Sequence, residues 1–314
     1  MKQTVIKDHL QLQKFNTELA ACIGYFDGLH LGHQHLINET IRVAKERGLE
    51  SALITFDPDP WTVINDKSHV NHLTPIKEKV RVAQTLGIDH LITINFTKDT
   101  SKLTPLEFIE SYLVPLNVRA LVAGADFRFG HKGAGDVAFL KQHAHYHFDT
   151  IIFELDLTKN KKIGTTMITQ ALLKGNVEEA NQLLGRQYEI SGFVIDGQKQ
   201  GRKIGFPTAN LDVVDEYVIP AEGVYAGFVE VNGEVFQSML SIGHNPTFNH
   251  TEHLAIETHI LDFDRDIYGE LLKQTFVAKL RGQIKFDSVD ALITQMKADE
   301  AKAREILNAT PSEL

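Results

Sequence analysis

Gly201-Arg202-Lys203-Ile204-Gly205-Phe206-Pro207-Thr208-Ala209-Asn210-Leu211 places a glycine-spaced basic turn directly before a Thr-x-Asn pair. Glycines let a backbone approach an anion closely, Arg202 and Lys203 bring positive charge, and the Thr208 hydroxyl and Asn210 carbonyl are hard oxygen ligands of the kind Mg²⁺ accepts. The stretch therefore has the parts to hold a phosphate and a magnesium ion together. An ordinary Gly- and Pro-rich turn is the other reading of the same residues. A Walker A loop is excluded, because Ile204 follows Lys203 where that frame requires Ser or Thr.

The stretch lies in a β-rich half. From residue 186 onward, runs at 188–195, 224–231, 235–242, 254–261 and 271–280 are separated by glycine and asparagine turns. Asn232-Gly233 is a hairpin signal, since Asn-Gly adopts the positive φ angles of a type I′ turn. Several short antiparallel strands predict a closed barrel. An amphipathic helix over 288–307 follows, with Leu292, Ile293, Met296, Ala303 and Ile306 on its apolar side. Upstream, short apolar runs at 19–26, 51–56, 90–95, 119–123 and 150–155 alternate with helical segments, the pattern of a parallel sheet built from βαβ units. Thr104-Pro105-Leu106-Glu107 supplies an N-cap, a proline at the first helical position and a glutamate three residues after the cap; Thr74-Pro75 begins another helix similarly. Asn176, with Glu179 three residues on, is read as the cap of a short helix that ends near Leu184-Gly185 and closes the first domain.

With 314 residues, 43% of them apolar, the chain has room for two ordinary domains, 1–185 and 186–314. A net charge of -9 argues against a nucleic-acid partner, so any phosphate must be met by local groups. The one cysteine, Cys22, excludes an internal disulfide and fits a reducing compartment; between Ala21 and Ile23 it reads as a buried small hydrophobe. The first residues carry no long apolar core and no later segment reaches the roughly 18 uninterrupted apolar residues of a membrane span. The expectation is a cytoplasmic protein with no membrane partner.

The opening stretch resembles the Gly-Arg-x-x-Gly-Phe-Pro-Thr-Ala-Asn-Leu signature of riboflavin kinases. Gly223-Val224-Tyr225-Ala226-Gly227, Ile242-Gly243-His244-Asn245-Pro246-Thr247-Phe248 and Ile256-Glu257-Thr258-His259-Ile260-Leu261-Asp262-Phe263 follow in that family's order. Over its whole length the chain is similar to the bacterial two-domain riboflavin kinase/FAD synthetase family. The resemblance implies an α/β nucleotidyltransferase-type domain, a Rossmann-like parallel sheet, followed by a small antiparallel β-barrel kinase domain with a C-terminal helix. It also implies riboflavin, FMN and ATP as substrates, with Mg²⁺ required. Thr208 and Asn210 are then the metal and phosphate ligands, and Gly201, Arg202, Lys203, Gly205, Phe206 and Pro207 form the nucleotide loop. Glu257 becomes the base that takes a proton from the ribityl 5′-hydroxyl. Alternation puts Glu257 on the same side of its strand as Ala255 and His259, opposite Ile256 and Ile260, which also suits an exposed strand carboxylate. Asn245, Thr247 and the acidic segment 262–266 fall where the family places loops over flavin and nucleotide, or are turn residues. Arg281 matches a basic position near that site, or is a solvated arginine.

Gly24-Tyr25-Phe26-Asp27-Gly28-Leu29-His30-Leu31-Gly32-His33 resembles the Gly-x-Phe-Asp-x-x-His-x-Gly-His motif of nucleotidyltransferases. A strand ends at Phe26, a glycine turn follows, and His30 and His33 stand three apart at a helix start, so both rings can face one phosphate. The resemblance makes these histidines catalytic and Gly24, Phe26, Asp27 and Gly28 nucleotide- or flavin-binding. Asp126 and Arg128, within Gly124-Ala125-Asp126-Phe127-Arg128-Phe129-Gly130, and Thr55-Phe56-Asp57-Pro58-Asp59-Pro60 match further blocks near those ligands. The third block departs from the family. Where Ile-Ser-Ser-Thr-x-Ile-Arg is expected, the chain reads Ile163-Gly164-Thr165-Thr166-Met167-Ile168-Thr169. Thr165 and Thr166 keep hydroxyls for phosphate, but the bidentate cation is gone. Lys161 and Lys162, just upstream, either compensate or are solvated loop charges. His143, His145 and His147 read as surface or strand-edge residues. The implied chemistry is phosphorylation of riboflavin to FMN and adenylylation of FMN to FAD. The alternatives are a kinase with an impaired adenylyltransferase domain, and a flavin-binding sensor with neither activity.

Overall fold

Among the described residues of Met1–Gly164, six parallel strands form one sheet: β1 (Lys2–Ile6), β2 (Leu19–Ile23), β3 (Glu50–Asp57), β4 (His90–Asn95), β5 (Val118–Gly124) and β6 (Asp149–Phe153), in the order β1-β4-β3-β2-β5-β6. The computed structural model describes residues 1–67, 70–153, 163–197, 200–244 and 254–314, so Asn245, Thr247, Lys161 and Lys162 lie outside the described residues. Every residue of β2 is buried. Leu19, Ala21 and Ile23 enter one core with Phe108, Tyr112 and Leu121, while Cys22 enters another with Leu29, Ile37 and Leu53. A strand covered on both faces reads as a continuous apolar run, which is why 19–23 was legible. Burial pushes the Cys22 thiol up to about 12, as befits a small hydrophobe rather than a nucleophile.

The strand β1 was not anticipated. It pairs with β4 at the sheet edge and only Ile6 of its five residues is buried, so no apolar alternation marks it. The Thr104 capping box forms as expected, with both reciprocal bonds present. Thr74 does not cap: its amide donates to Asp27, and the helix Ile76–Thr85 begins after Pro75.

In Thr165–Leu314 the described strands are β7 (Tyr188–Ile195), β8 (Ala209–Val213), β9 (Gly223–Val231), β10 (Glu234–His244), β11 (Leu254–Ile260), β12 (Leu271–Phe276) and β13 (Ala278–Arg281). Their order is β10-β11-β8-β7-β12-β9-β13, and a further β9–β10 pairing closes six of them into an antiparallel barrel. The expected run 271–280 is two strands, broken where the Val277 amide turns to the Ala226 carbonyl. Inside the barrel Ser238, Thr258 and Gln274 are fully buried, and the Gln274 side chain hydrogen-bonds both hydroxyls. On its outside, Val224, Ala226, Phe228 and Met239 pack with Ala303 and Leu307 of the helix Val289–Asn308, which Ser288 caps by accepting the Ala291 amide.

The helix Val177–Leu184 was read as closing the first domain, yet it packs with the barrel: Asn181 donates to the Phe276 carbonyl and accepts the Tyr188 amide, and Glu178 accepts the Lys279 amide. Those partners are remote in sequence, so no local pattern announces them. Asn176 is the N-cap by position but its side chain makes no capping bond.

Gly227 sits where a Cβ would lie 1.9 Å from the Thr275 carbonyl oxygen. Gly227→Ala is therefore expected to destabilise the barrel by about 1–3 kcal/mol, the usual cost of overpacking a fixed backbone contact. Denaturant unfolding of the full chain measures it; an unchanged midpoint would show that the strands separate there without cost.

Candidate active sites

Two loops converge at the carboxyl end of the parallel sheet. Strand order reverses between β2, whose other neighbour is β3, and β5, and ligands of open α/β sheets bind outside the strand ends at such a switch point. The residues 24–33 leave β2 there and 124–130 leave β5. In the first loop Phe26, Gly28 and Leu29 have φ of 54°, 79° and 41°. Gly28 takes this conformation without strain; Phe26 and Leu29 need support from their surroundings. His30 is the N-cap of the helix Leu31–Arg47 and accepts the His33 amide. The two rings stack at 3.7 Å between centroids, and the Phe26 ring meets His33 edge-on at 5.1 Å. His33 is held well below the ordinary histidine range by burial, then by His30 and Lys79, and its Nδ1 is buried with no hydrogen-bond partner among the described residues. That shift favours the neutral ring, which can still donate a hydrogen bond to a phosphate oxygen.

Asp27, expected beside a ligand, is buried, and its carboxylate accepts the Leu73 and Thr74 amides at 3.0 Å each. Burial raises its pKa while those two amides and Lys79 oppose the shift. Asp126 follows β5, and the exposed Arg128 pairs with Asp136 at 3.2 Å. Gly24 leaves β2 with its amide bonded to the Ile54 carbonyl, so β3 fixes the take-off of the turn. Thr165 and Thr166 open the helix Thr165–Leu173, so the third motif straddles the division between the two compact units. His143, His145 and His147 are exposed.

In the barrel, register assembles the second site. Asn210 on β8 pairs with Glu257 on β11, which pairs in turn with Ser241 on β10. Thr208 Oγ1 donates to Glu257 Oε2 at 3.2 Å. The alternation in β11 is as expected: Ile256, Thr258 and Ile260 are buried, while Ala255, Glu257 and His259 are half-exposed. His259, not singled out as a site residue from the sequence, donates from Nδ1 to the Pro207 carbonyl at 2.7 Å and meets the Phe206 ring, tying the basic turn to β11. Its place two residues from Glu257 on the same face was the available signal.

The glycine turn itself differs from the open cradle its composition suggested. Ile204 and Phe206 amides both bond back to the Gly201 carbonyl and the Gly205 amide to Arg202, leaving the exposed side chains of Arg202 and Lys203 as the groups that can meet an anion. A cavity of about 420 Å³ borders this turn, lined by Arg202, Pro207, Thr208, Phe263, Asp264 and Tyr268 among others. A second, of about 340 Å³, is lined by Glu222, Ser241, His244, Glu257 and Gln283. Thr208 belongs to the first and Glu257 to the second, so their hydrogen bond joins the two. Arg281 is neither solvated nor open to either cavity's lining: its guanidinium bonds Asp299 at 2.8 Å on the C-terminal helix.

A doubly wound sheet with paired histidines at its switch point, followed by a barrel bearing a hydroxyl, an amide and a carboxylate, defines a two-unit enzyme of phosphate chemistry. The riboflavin kinase family model matches residues 184–307 and the FAD synthetase model residues 12–167. The bifunctional riboflavin kinase/FMN adenylyltransferase of Listeria monocytogenes is 43% identical over 90% of each chain, and that of Bacillus subtilis 37% identical over 94% of each. A crystal structure described as a macrolide-efflux protein from Streptococcus pneumoniae superposes with a TM-score of 0.88 at 34% identity, covering 96% of this chain and 98% of that one. No helix among the described residues is long and apolar enough to cross a membrane. The chain belongs to the bifunctional riboflavin kinase/FMN adenylyltransferase family.

Proposed function

We propose that the barrel phosphorylates riboflavin to FMN with ATP and that the parallel-sheet unit transfers AMP from a second ATP to FMN, giving FAD. The observation that carries the first step is the Thr208–Glu257 bond joining two cavities. The cavity beside Arg202 and Lys203 takes the triphosphate, and the cavity beside Glu257 takes the flavin. Glu257 removes the proton of the ribityl 5′-hydroxyl as its oxygen bonds to the γ-phosphorus and ADP leaves. Thr208 and Asn210, next to Glu257, present a hydroxyl and an amide oxygen, donors that fit a hard divalent cation. Mg²⁺ held there would offset charge on the phosphates.

In the parallel-sheet unit an FMN phosphate oxygen bonds to the α-phosphorus of ATP and pyrophosphate leaves. His30 and His33 stand at the N-terminus of a 17-residue helix, whose dipole favours the negative charge. A functional boundary near 185 remains our assignment, although the helices from Thr165 to Leu184 pack with the barrel. A cytoplasmic location suits a chain whose cysteine is buried and unpaired.

The reading is tested by incubating the protein with ATP and Mg²⁺, separately with riboflavin and with FMN, and separating the flavins. FMN from the first tube and FAD from the second are expected. FMN without FAD in either tube leaves a monofunctional kinase, and no FMN from riboflavin removes the kinase assignment.

A further inference from the structure

A buried lysine has no part in either mechanism. Lys79, on the helix Ile76–Thr85, is 2% exposed. Its Nζ donates to the Tyr25 carbonyl at 2.6 Å and to Thr55 Oγ1 at 3.3 Å, and stands 4.2 Å from the centre of the Tyr25 ring. Thr55 Oγ1 donates to that same Tyr25 carbonyl at 2.9 Å. Taking an ammonium out of water is costly, and an apolar side chain of similar volume generally serves packing as well or better. A lysine kept on the apolar stripe of Ile76, Val80 and Ala83 therefore points to a role that needs the charge or its hydrogen bonds.

We propose that Lys79 is a positioning residue for adenylyl transfer, gripping Tyr25 by its carbonyl and its ring so that the turn at residues 24–28 presents His30 and His33 to the reacting phosphate. The grip has two directions. Lys79 reaches from the helix to Tyr25, while Asp27 reaches from the turn to the Leu73 and Thr74 amides just before that helix. What is clamped is a turn with left-handed Phe26 and Leu29, a conformation that its surroundings must support. Phe26 carries the constraint to His33, and His33 to His30, through ring contacts at 5.1 and 3.7 Å. The charge has a second consequence. Burial draws Lys79 down to about 8 against the pull of Asp27, Asp57 and Asp59, and the ammonium adds to burial and His30 in lowering the His33 pKa.

This inference rests on the adenylyl-transfer reading, and its test separates the two. In the full-length protein, Lys79→Met is expected to lower kcat for FAD formation by about 10²-fold, the scale of a small misplacement of catalytic groups. Riboflavin phosphorylation by the same preparation stays at the wild-type rate. The His33 ring, assigned by NMR with His33→Asn, titrates at higher pH in Lys79→Met, while Lys79→Arg keeps the wild-type midpoint. Lys79→Gln, which retains a donor and loses the charge, carries the same comparison if the methionine variant does not fold. A wild-type chain that makes no FAD removes the adenylyl-transfer reading, and the His33 midpoint still decides the coupling. An unmoved His33 overturns the proposal, whether the rate falls, which assigns Lys79 to helix packing alone, or does not.

Discussion

Replacing Glu257 with Gln lowers riboflavin phosphorylation by about 10²- to 10⁴-fold, the range a positioned general base contributes, and leaves FAD formation from supplied FMN unchanged. The substitution is close to isosteric and its amide oxygen still accepts the Thr208 hydroxyl, which now bonds Glu257 Oε2 at 3.2 Å. The strand itself is held by the buried Ile256, Thr258 and Ile260 and by pairing to β8 and β10, none of which the change touches. What is lost is the ability to take a proton. A loss confined to kcat, with riboflavin affinity retained, matches that account. FMN formation at more than about a third of the wild-type rate, far above what loss of a base permits, would show that Glu257 is the bystander carboxylate its alternating pattern also allows.

Thr169→Arg is expected to raise kcat/KM for FMN adenylylation by about 10- to 100-fold, equivalent to one charge-assisted hydrogen bond of about 1.5–3 kcal/mol. The helix Thr165–Leu173 makes this concrete: Thr169 lies four residues from Thr165 and three from Thr166, so the three side chains share a face. An arginine there would add a planar cationic fork beside two hydroxyls already suited to phosphate. Thr169 is half-buried, so the longer side chain extends toward solvent without displacing core residues such as Ile168 and Leu172. Riboflavin phosphorylation in the same protein is the internal control. No gain would mean that another cation already serves the triphosphate; a gain would show that this chain runs its second reaction with a weakened clamp.

Much of the barrel's chemistry was readable along the chain. Glu257 could be placed on its face from a six-residue alternation, His30 and His33 on a helix start from their spacing, and the Thr104 capping box from its residue types. Such features depend on neighbours within one or two turns, and local backbone periodicity encodes them. The site as a whole did not follow from them. The Thr-x-Asn pair was placed after the basic turn with no strand assigned to it, whereas 209–213 is β8, and only its antiparallel register brings Asn210 beside Glu257, which pairs in turn with Ser241.

The first unit separates the two kinds of information in the same way. The residue types of the Gly24-to-His33 motif fix a strand, a turn and a helix start. That Asp27 faces two backbone amides, that the His33 pKa is drawn down, and that Lys79 lies against Tyr25 depend on a helix some fifty residues away, and the residues just before it, folding over the β2 loop. A pattern of apolar and polar residues specifies which face of an element is buried. It does not specify which distant element covers that face, and burial, charge state and hydrogen-bond partner are properties of the cover.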